Sequence, residues 1–378
     1  MRSLRRSIVY LFGTGLAVNT AYRFAIPFLP AISRGLGVSL GQAGLLISAR
    51  SLAGVATPAV VSAIGRGERR IRLAMGGLIM FAGGAVATAA GGLYVGALAG
   101  FVLMGLGKPA FAAAAQAYIA DRTPYEKRAR HLSIIELTWA GGLLVGAPAA
   151  GLLIDHLGWQ SPFWAAALLV GLAAAVAPWM LDPDTRGPVV RPGRLALTTP
   201  GIAVLAAAAL FSLAAETTIV VYGAWLEDEF ALSLAAIGLT STFVALAELA
   251  GEGAVLAFAD RLGKRRMVAA GLAISAGGYL ALGFVGGGLV PGLAALSLAF
   301  IAFEVTIVAT VPLATEMIPE ARSRYLALLV VWISIGRAAG DAIGPALFER
   351  VGLAANTTLS AIAALASLGV LLTWTDGE

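Results

Sequence analysis

Apolar residues run along this chain in blocks of about twenty, parted by short polar stretches in which arginine is frequent. Twelve blocks can be marked, at 7–30, 40–64, 72–91, 94–119, 131–154, 162–181, 199–226, 234–258, 266–287, 290–315, 325–348 and 354–374. About 20 helical residues, rising about 1.5 Å each, cross the roughly 30 Å hydrocarbon core of a bilayer. Each block therefore predicts one spanning helix. The whole predicts an all-α integral membrane protein with 12 transmembrane helices. Prolines inside several blocks (Pro27, Pro30, Pro58, Pro109, Pro148, Pro312, Pro345) predict bends where neighbouring helices satisfy the freed carbonyls. The longest polar connection falls at the midpoint. It divides the chain into a six-helix bundle at 1–181, a cytoplasmic linker at 182–198 and a second six-helix bundle at 199–378.

Composition agrees with lipid as the main solvent. Of the 378 residues 59% are hydrophobic and 12% charged, about half the charge of a soluble domain. The 47 glycines are spread through the blocks, and small residues let helices approach closely where packing is the glue. The N-terminus (Met1–Arg6, then an apolar run) reads as a first spanning helix rather than a signal peptide, having no A-x-A-like site. With no cysteine and two histidines (His131, His156), neither disulfide nor thiolate chemistry is available, and no metal or other cofactor is expected. His131 sits in a basic loop and is assigned no chemistry.

The basic residues set an orientation. With a cytoplasmic N-terminus, 20 of the 26 Lys and Arg fall in the inner loops and tail, and only Arg34 and Arg350 in the outer loops. This is the positive-inside pattern. It predicts both termini in the cytoplasm of a plasma (inner) membrane protein, and it accounts for the basic balance without a nucleic-acid partner.

The two halves repeat. Gly67-Glu68-Arg69-Arg70-Ile71 matches Gly263-Lys264-Arg265-Arg266-Met267 at an offset of 196, and Asp121-Arg122-Thr123-Pro124 matches Glu316-Met317-Ile318-Pro319 at 195. Gly146-Ala147-Pro148 lies near Ile343-Gly344-Pro345 at 197. One six-helix unit is used twice, an arrangement on which alternating-access transporters are built.

These residues resemble the major facilitator superfamily of secondary transporters, over the whole chain. The family's loop signature G-x-x-x-D-R-x-G-R-R is matched by Asp260-Arg261-Leu262-Gly263-Lys264-Arg265, with Leu256 in place of the first Gly; the earlier copy has Ile64 in place of the Asp. Asp121…Pro124…Arg128 and Glu316…Pro319…Arg322 are similar to the loops after helices 4 and 10. Gly142…Gly146-Ala147-Pro148…Gly151 loosely resembles the helix-5 antiporter pattern, an alanine parting its Gly from its Pro. Gly105-Leu106-Gly107 belongs to an R-x-x-x-G-x-G pattern whose arginine is Phe101 here. The resemblance implies a fold in which helices 1, 4, 7 and 10 surround a cavity while 3, 6, 9 and 12 are peripheral. It also implies that Asp260, within the gate motif Asp260, Arg261, Gly263, Lys264 and Arg265, braces a cytoplasmic gate against helix 5 or Arg128 and Arg130.

Ten ionisable residues lie well within the blocks, away from their ends: Arg23, Arg50, Lys108, Glu136, Glu216, Glu248, Glu252, Glu304, Arg337 and Asp341. A charge at mid-bilayer costs roughly 2.5–3.5 kcal/mol on insertion scales, so each must face a partner or water. Blocks 1, 4, 7 and 10 hold one each, blocks 2, 5, 8 and 11 the other six, and blocks 3, 6, 9 and 12 none away from their ends. The period of three follows if each half is two three-helix units whose third helix faces lipid. Arg23, Lys108, Glu216 and Glu304, with Asn19 and Tyr22, are the candidate cavity. Either these four charges neutralise one another, or at least one acid carries a coupling proton. Arg50 and Asp341 form a candidate outer-gate pair, or Arg337 and Asp341 pair along one helix face. Glu136, Glu248 and Glu252 are a second coupling candidate near Lys108. Trp139 and Trp332 are read as packing or lipid-interface rings in preference to substrate-stacking ones, and Trp159, Trp164, Trp179, Trp225 and Trp374 as interfacial anchors.

No Walker loop and no H-E-x-x-H motif occur, so neither an ATP-driven pump nor an intramembrane metallohydrolase fits, and no enzyme is expected. The expected activity is alternating-access transport of a small molecule, with a proton as coupling ion, by a monomer in the lipid bilayer. Apolar cavity helices and the antiporter pattern favour efflux of an amphipathic compound. Arg23 and Lys108 favour uptake or exchange of an organic anion. A non-transporting sensor is a third possibility.

Overall fold

A computed structural model describes residues 2–56, 70–182, 195–285 and 287–373. The loop from Ile64 to Arg69, Pro58, most of the central linker (Arg186, Arg191 and Arg194 included) and Trp374 lie outside the described residues. The described residues are helical with no strand among them. The helices are α1 (Arg2–Arg23), α2 (Leu29–Leu36), α3 (Leu40–Val55), α4 (Arg70–Ala90), α5 (Tyr94–Arg122), α6 (Tyr125–Leu144), α7 (Gly146–Leu157), α8 (Ser161–Met180), α9 (Thr199–Ile219) and α10 (Tyr222–Phe230). They continue with α11 (Leu234–Leu262), α12 (Lys264–Val285), α13 (Leu289–Met317), α14 (Arg322–Val351) and α15 (Leu353–Thr373). Among the described residues ten helices, or eleven counting the bent α2–α3 pair, are long and apolar enough to cross a membrane. With α1, whose 22 residues also have the length to span, this is a 12-helix membrane fold.

Three predicted spans are broken. α1 stops at Arg23 and the chain turns through Pro27 before α2, which meets α3 at 112°. The fifth span splits at Val145 into α6 and α7, three residues before Pro148, whose missing N–H leaves the Leu144 carbonyl without its helical donor. The seventh span breaks between α9 and α10. There the Val221 N–H turns to the Thr218 carbonyl at 3.3 Å, leaving Thr217 O free. The amide of Asn356, fully buried on α15, donates to Thr217 O at 2.7 Å and to Gly344 O at 2.8 Å. In hydrocarbon a side chain must supply what water cannot.

The chain forms two compact units. The first comprises Met1–Val38, Leu52–Val190 and Ser233–Thr242; the second comprises Ser39–Ser51, Arg191–Leu232 and Phe243–Glu378. Within the first, α4 packs most closely on α5, α1 on α6, and α8 on α4 and α1. The second repeats the scheme, with α12 on α13, α9 on α14, and α15 on α12 and α9. The repeat extends to the small residues at the crossings. A side chain at Gly77 would strike Gly107 O, and one at Gly271, 194 positions on, would strike Ala302 O. Close backbone approach of this kind is how lipid-embedded helices gain contact.

The repeated motif residues pair within each unit. Arg70, closing the first loop signature, forms an ion pair with Asp121 at the end of α5, and Lys264 of the second signature pairs with Glu316 at the end of α13. The glycine of the second signature has a structural reason. Gly263 joins α11 to α12 at φ +83°, a left-handed conformation that costs other residues about 1–2 kcal/mol.

A wide apolar face is exposed. On α8 it holds Trp164, Leu168, Leu172 and Trp179, as expected of a helix whose outer side meets lipid. Two tryptophans depart from the anchoring role expected of them. Trp159 is buried, edge-on to Phe163 at 6.1 Å, and Trp225 is buried against Phe230 at 5.3 Å. Both fold back into helix packing, Trp159 from the α7–α8 turn and Trp225 from within α10.

Candidate functional site

In the first unit, α1, α5 and α6 bring Asn19, Tyr22, Arg23, Lys108, Glu136 and Trp139 together. Gly142 makes this possible: a Cβ there would lie 2.8 Å from the Asn19 backbone, so α6 lies tight against α1. Asn19 Nδ2 donates to Thr138 Oγ1 at 2.8 Å, and Thr138 in turn donates to Ile135 O. Arg23, only 5% exposed, donates to Trp139 O at 3.0 Å while its guanidinium lies 4.3 Å from the centre of the Trp139 ring. Lys108 Nζ lies 4.5 Å from the same ring and 4.6 Å from that of Tyr22. Such ring faces hold a cation by about 0.5–2 kcal/mol each, more when desolvated. Beside them is a cavity of about 110 Å³, lined by Asn19, Lys108, Phe111, Gln116, Glu136 and Trp139 among others. Glu136, exposed towards this cavity, accepts a 2.7 Å hydrogen bond from Gln116 Nε2.

Trp139, read from sequence in preference as a packing or interface ring, is thus the centre of the cluster. The only signal was its spacing. It stands three residues after Glu136 on the same helix, a separation that puts the two side chains on one face.

In the second unit the embedded charges meet along α9, α14 and the 39–51 stretch. Glu216 on α9 forms an ion pair with Arg337 on α14 at 3.3 Å. Asp341, one turn beyond Arg337 and 1% exposed, accepts a 2.8 Å hydrogen bond from Ser51 Oγ. It also lies in the electrostatic field of Glu216, Arg50 and Arg337, and Arg50 itself is 3% exposed. Gly340 brings the helices together, since a Cβ there would stand 2.8 Å from Glu216 Cβ. Ser48 Oγ, donating to Ala338 O at 2.8 Å, adds a second stitch to α14. Glu304 on α13 is buried, and Gly251 of α11 lies against its Cβ, so the α11 turn carrying Glu248 and Glu252 borders it. Of the α11–α12 loop, Asp260, Arg261 and Gly263 are exposed, Lys264 pairs with Glu316, and Arg265 donates to Leu371 O at 2.9 Å.

A twofold-repeated helical membrane fold whose spans bury ionisable and aromatic side chains around a small cavity defines a membrane transporter. The chain belongs to the Major Facilitator Superfamily, whose sequence profile matches residues 11–204 and 204–378. It is a transporter, not an enzyme.

Among curated relatives it is 28% identical over 298 residues to the class C tetracycline resistance protein of Escherichia coli, covering 74% of each chain. To the chloramphenicol resistance protein of Streptomyces lividans it is 28% identical over 200 residues, 51% of each. A putative uncharacterized transporter of E. coli K12, YgaY, is 30% identical over 170 residues; the match spans 44% of this chain and only 42% of that one. Two solved structures share the fold. The bacterial homolog of the human lysosomal transporter Spinster, in an inward-facing and unoccupied conformation, superposes with a TM-score of 0.75 at 14% identity, covering 98% of this chain and 95% of that one. The human organic anion transporter MFSD10 gives 0.67 at 18%, covering 97% and 99%.

Proposed function

We propose that this transporter exports a small amphipathic compound in exchange for protons, by alternating access in the plasma (inner) membrane, as a monomer with both termini in the cytoplasm. The observation that carries the coupling is the cluster of buried Glu216, Asp341 and Ser51 with the partly exposed Arg337. Carboxylates held in low dielectric beside cations change their proton affinity as water enters or leaves, which is what an exchange cycle needs. Glu304, beside the turn carrying Glu248 and Glu252, is the second proton site of this reading. The resemblance to tetracycline and chloramphenicol resistance proteins supports export of ring-bearing compounds. On this reading the α11–α12 loop with Asp260 faces the cytoplasm and serves the inner gate.

A second reading, uptake or exchange of an organic anion, is favoured by Lys108 and Arg23 around Trp139. Membrane vesicles separate the two. In everted vesicles with an acidified lumen, export predicts accumulation of tetracycline or chloramphenicol, abolished by a protonophore. In right-side-out vesicles in acidic medium, the second reading predicts proton-driven entry of an aromatic carboxylate. Absence of gradient-driven flux in both arms refutes proton-coupled transport.

A further inference from the structure

We infer that Gln116 and Glu136 form a subsite that reads a carboxamide, recognised by its N–H, on the polar edge of an apolar ring-bearing substrate. The inference rests on the export reading and names the substrate feature that this one place selects.

The cavity sets the scale. Its volume of about 110 Å³ is well below the roughly 300–1,000 Å³ that encloses a drug-sized ligand. It suits one polar group and the leading edge of a ring, with the rest of the compound outside. Val18, Phe111, Ala112, Ala115 and Ile135 line it with apolar surface, so a ring edge is accommodated and the polar contacts are few.

The hydrogen-bonding capacity of the pair decides what those contacts can be. Gln116 on α5 and Glu136 on α6 are both exposed, both line the cavity, and are joined at 2.7 Å. A carboxylate only accepts, so the Gln116 amide nitrogen is the donor and its Oε1 takes no part in the bond. The carboxylate has about four acceptor sites, and this bond uses one. No other hydrogen bond or ion pair joins either side chain to a described residue. What remains is an acceptor surface, Glu136 Oε2 and Gln116 Oε1, with the second N–H of Gln116 beside it. A carboxamide is its complement, offering an N–H to the acceptors and a carbonyl to the donor. An ester of the same shape offers no N–H and sets an oxygen against the carboxylate.

Placement agrees with a recognition role. A carboxylate within a span must face a partner or water, and Glu136 does so by opening on the cavity. The turn that carries it is fixed. Thr138, two residues on, takes the Asn19 amide at 2.8 Å and donates to Ile135 O, while the Trp139 carbonyl accepts from Arg23 at 3.0 Å. A polar pair on a turn already tied to α1 loses little freedom when a ligand arrives.

The test is binding to the purified full chain by isothermal titration calorimetry, against a protein-free detergent blank. The two probes are neutral and alike in ring and shape: N-methyl-2-naphthamide and methyl 2-naphthoate, which differ by an N–H in place of an ester oxygen. Wild type should hold the amide about ten-fold or more tightly, the margin of one hydrogen bond to a charged group, because a site built around a donor rejects the analogue lacking it. Glu136→Leu should remove the margin by weakening the amide while leaving the ester within about two-fold. Glu136→Gln keeps an acceptor without the charge and should narrow the margin to about two- to five-fold, which also serves if Glu136→Leu does not fold. Equal affinity of wild type for the two probes, failure to bind the amide, or a full margin that survives either substitution overturns the inference. Equal weakening of both probes by Glu136→Leu also overturns it, leaving the pair a tie between α5 and α6. Vesicles that show no gradient-driven flux while the purified protein still discriminates the probes would instead remove the export reading and leave the subsite standing.

Discussion

The ion pair between Glu216 and Arg337 offers a quantitative test of how the second unit is held together. The two charges are 3.3 Å apart, with the Glu216 side chain 9% and the Arg337 side chain 25% exposed. At an effective dielectric of about 20, the attraction at that distance is about 5 kcal/mol, most of it offset by the desolvation of both ions. Removing one partner of a fully buried pair costs about 3–5 kcal/mol, because the other is left uncompensated. A quarter-exposed Arg337 recovers some hydration, so Glu216→Gln or Arg337→Met should each cost about 2–3 kcal/mol. The double variant leaves no orphan charge and should cost less than the sum of the two by about 1–3 kcal/mol, the range of coupled neighbours. Thermal unfolding of the detergent-purified protein, followed for wild type, both singles and the double, reads the cycle. Additive losses would mean that the two side chains do not depend on one another, and the structural account of this pair would be wrong. If Asp341, one turn from Arg337, fully substitutes for Glu216, the Glu216→Gln loss vanishes while the Arg337→Met loss remains, and the cluster then has a different anchor.

Five further outcomes are expected. Asn356→Leu removes the donor that satisfies Thr217 O and Gly344 O and should lower stability by about 1–3 kcal/mol, the cost of orphaned buried groups; an unchanged melting temperature would contradict it. Gly340→Val should cost about 1–3 kcal/mol by overpacking, since its Cβ meets Leu213 O and Thr217 N, each at 2.9 Å. Gly76→Ala, where a Cβ meets nothing within 4 Å, should be neutral or slightly stabilising. At φ +83°, Gly263→Ala should lose about 1–2 kcal/mol and Gly263→Asn less, by the same unfolding assay. Because the natural chain has no cysteine, single cysteines report sidedness directly: Arg266→Cys should react with a membrane-impermeant maleimide only from the cytoplasmic side and Leu93→Cys only from outside, and the reverse pattern would invert the proposed orientation.

Much of the fold was legible because a bilayer simplifies the code. Length and hydropathy alone mark a span, and the two copies of the loop signature mark the repeat. The loci of embedded charge were legible for the same reason: Arg23, Glu216 and Glu304 are expensive in lipid wherever they point, so each had to be buried or solvated. Their partners were not legible. Glu216 could be matched on paper with several cations, and only the close approach at Gly340 selects Arg337. Ser51, which donates to Asp341, gave no signal because serines abound in such helices and bond their own backbone. Trp139 and Trp159 show the same limit for aromatics. A tryptophan near a span end reads as an interfacial anchor unless the turn beside it is known, and the turn at Trp159 depends on the local break at Gly158 (φ +86°).

The repeat also places different side chains at one and the same helix crossing. In the first unit Gly142 of α6 lies against Asn19 and Thr20 of α1; in the second, Gly340 of α14 lies against Glu216 and Thr217 of α9. The paired positions are 197 and 198 residues apart, so the helix crossing is the same and the side chain beside it differs. At that place the first unit carries an amide, Asn19, bonded to Thr138, and assembles its charges a turn away as cations on Trp139. The second carries a carboxylate, bonded to Arg337. The neutral amide adds no charge at this place in the first unit. An acid in the equivalent position gives the second a group that can take up and release a proton. On the proposed reading, the acid of the second unit would carry the proton without displacing any side chain of the first unit's cluster, and each unit could be altered without rebuilding the other.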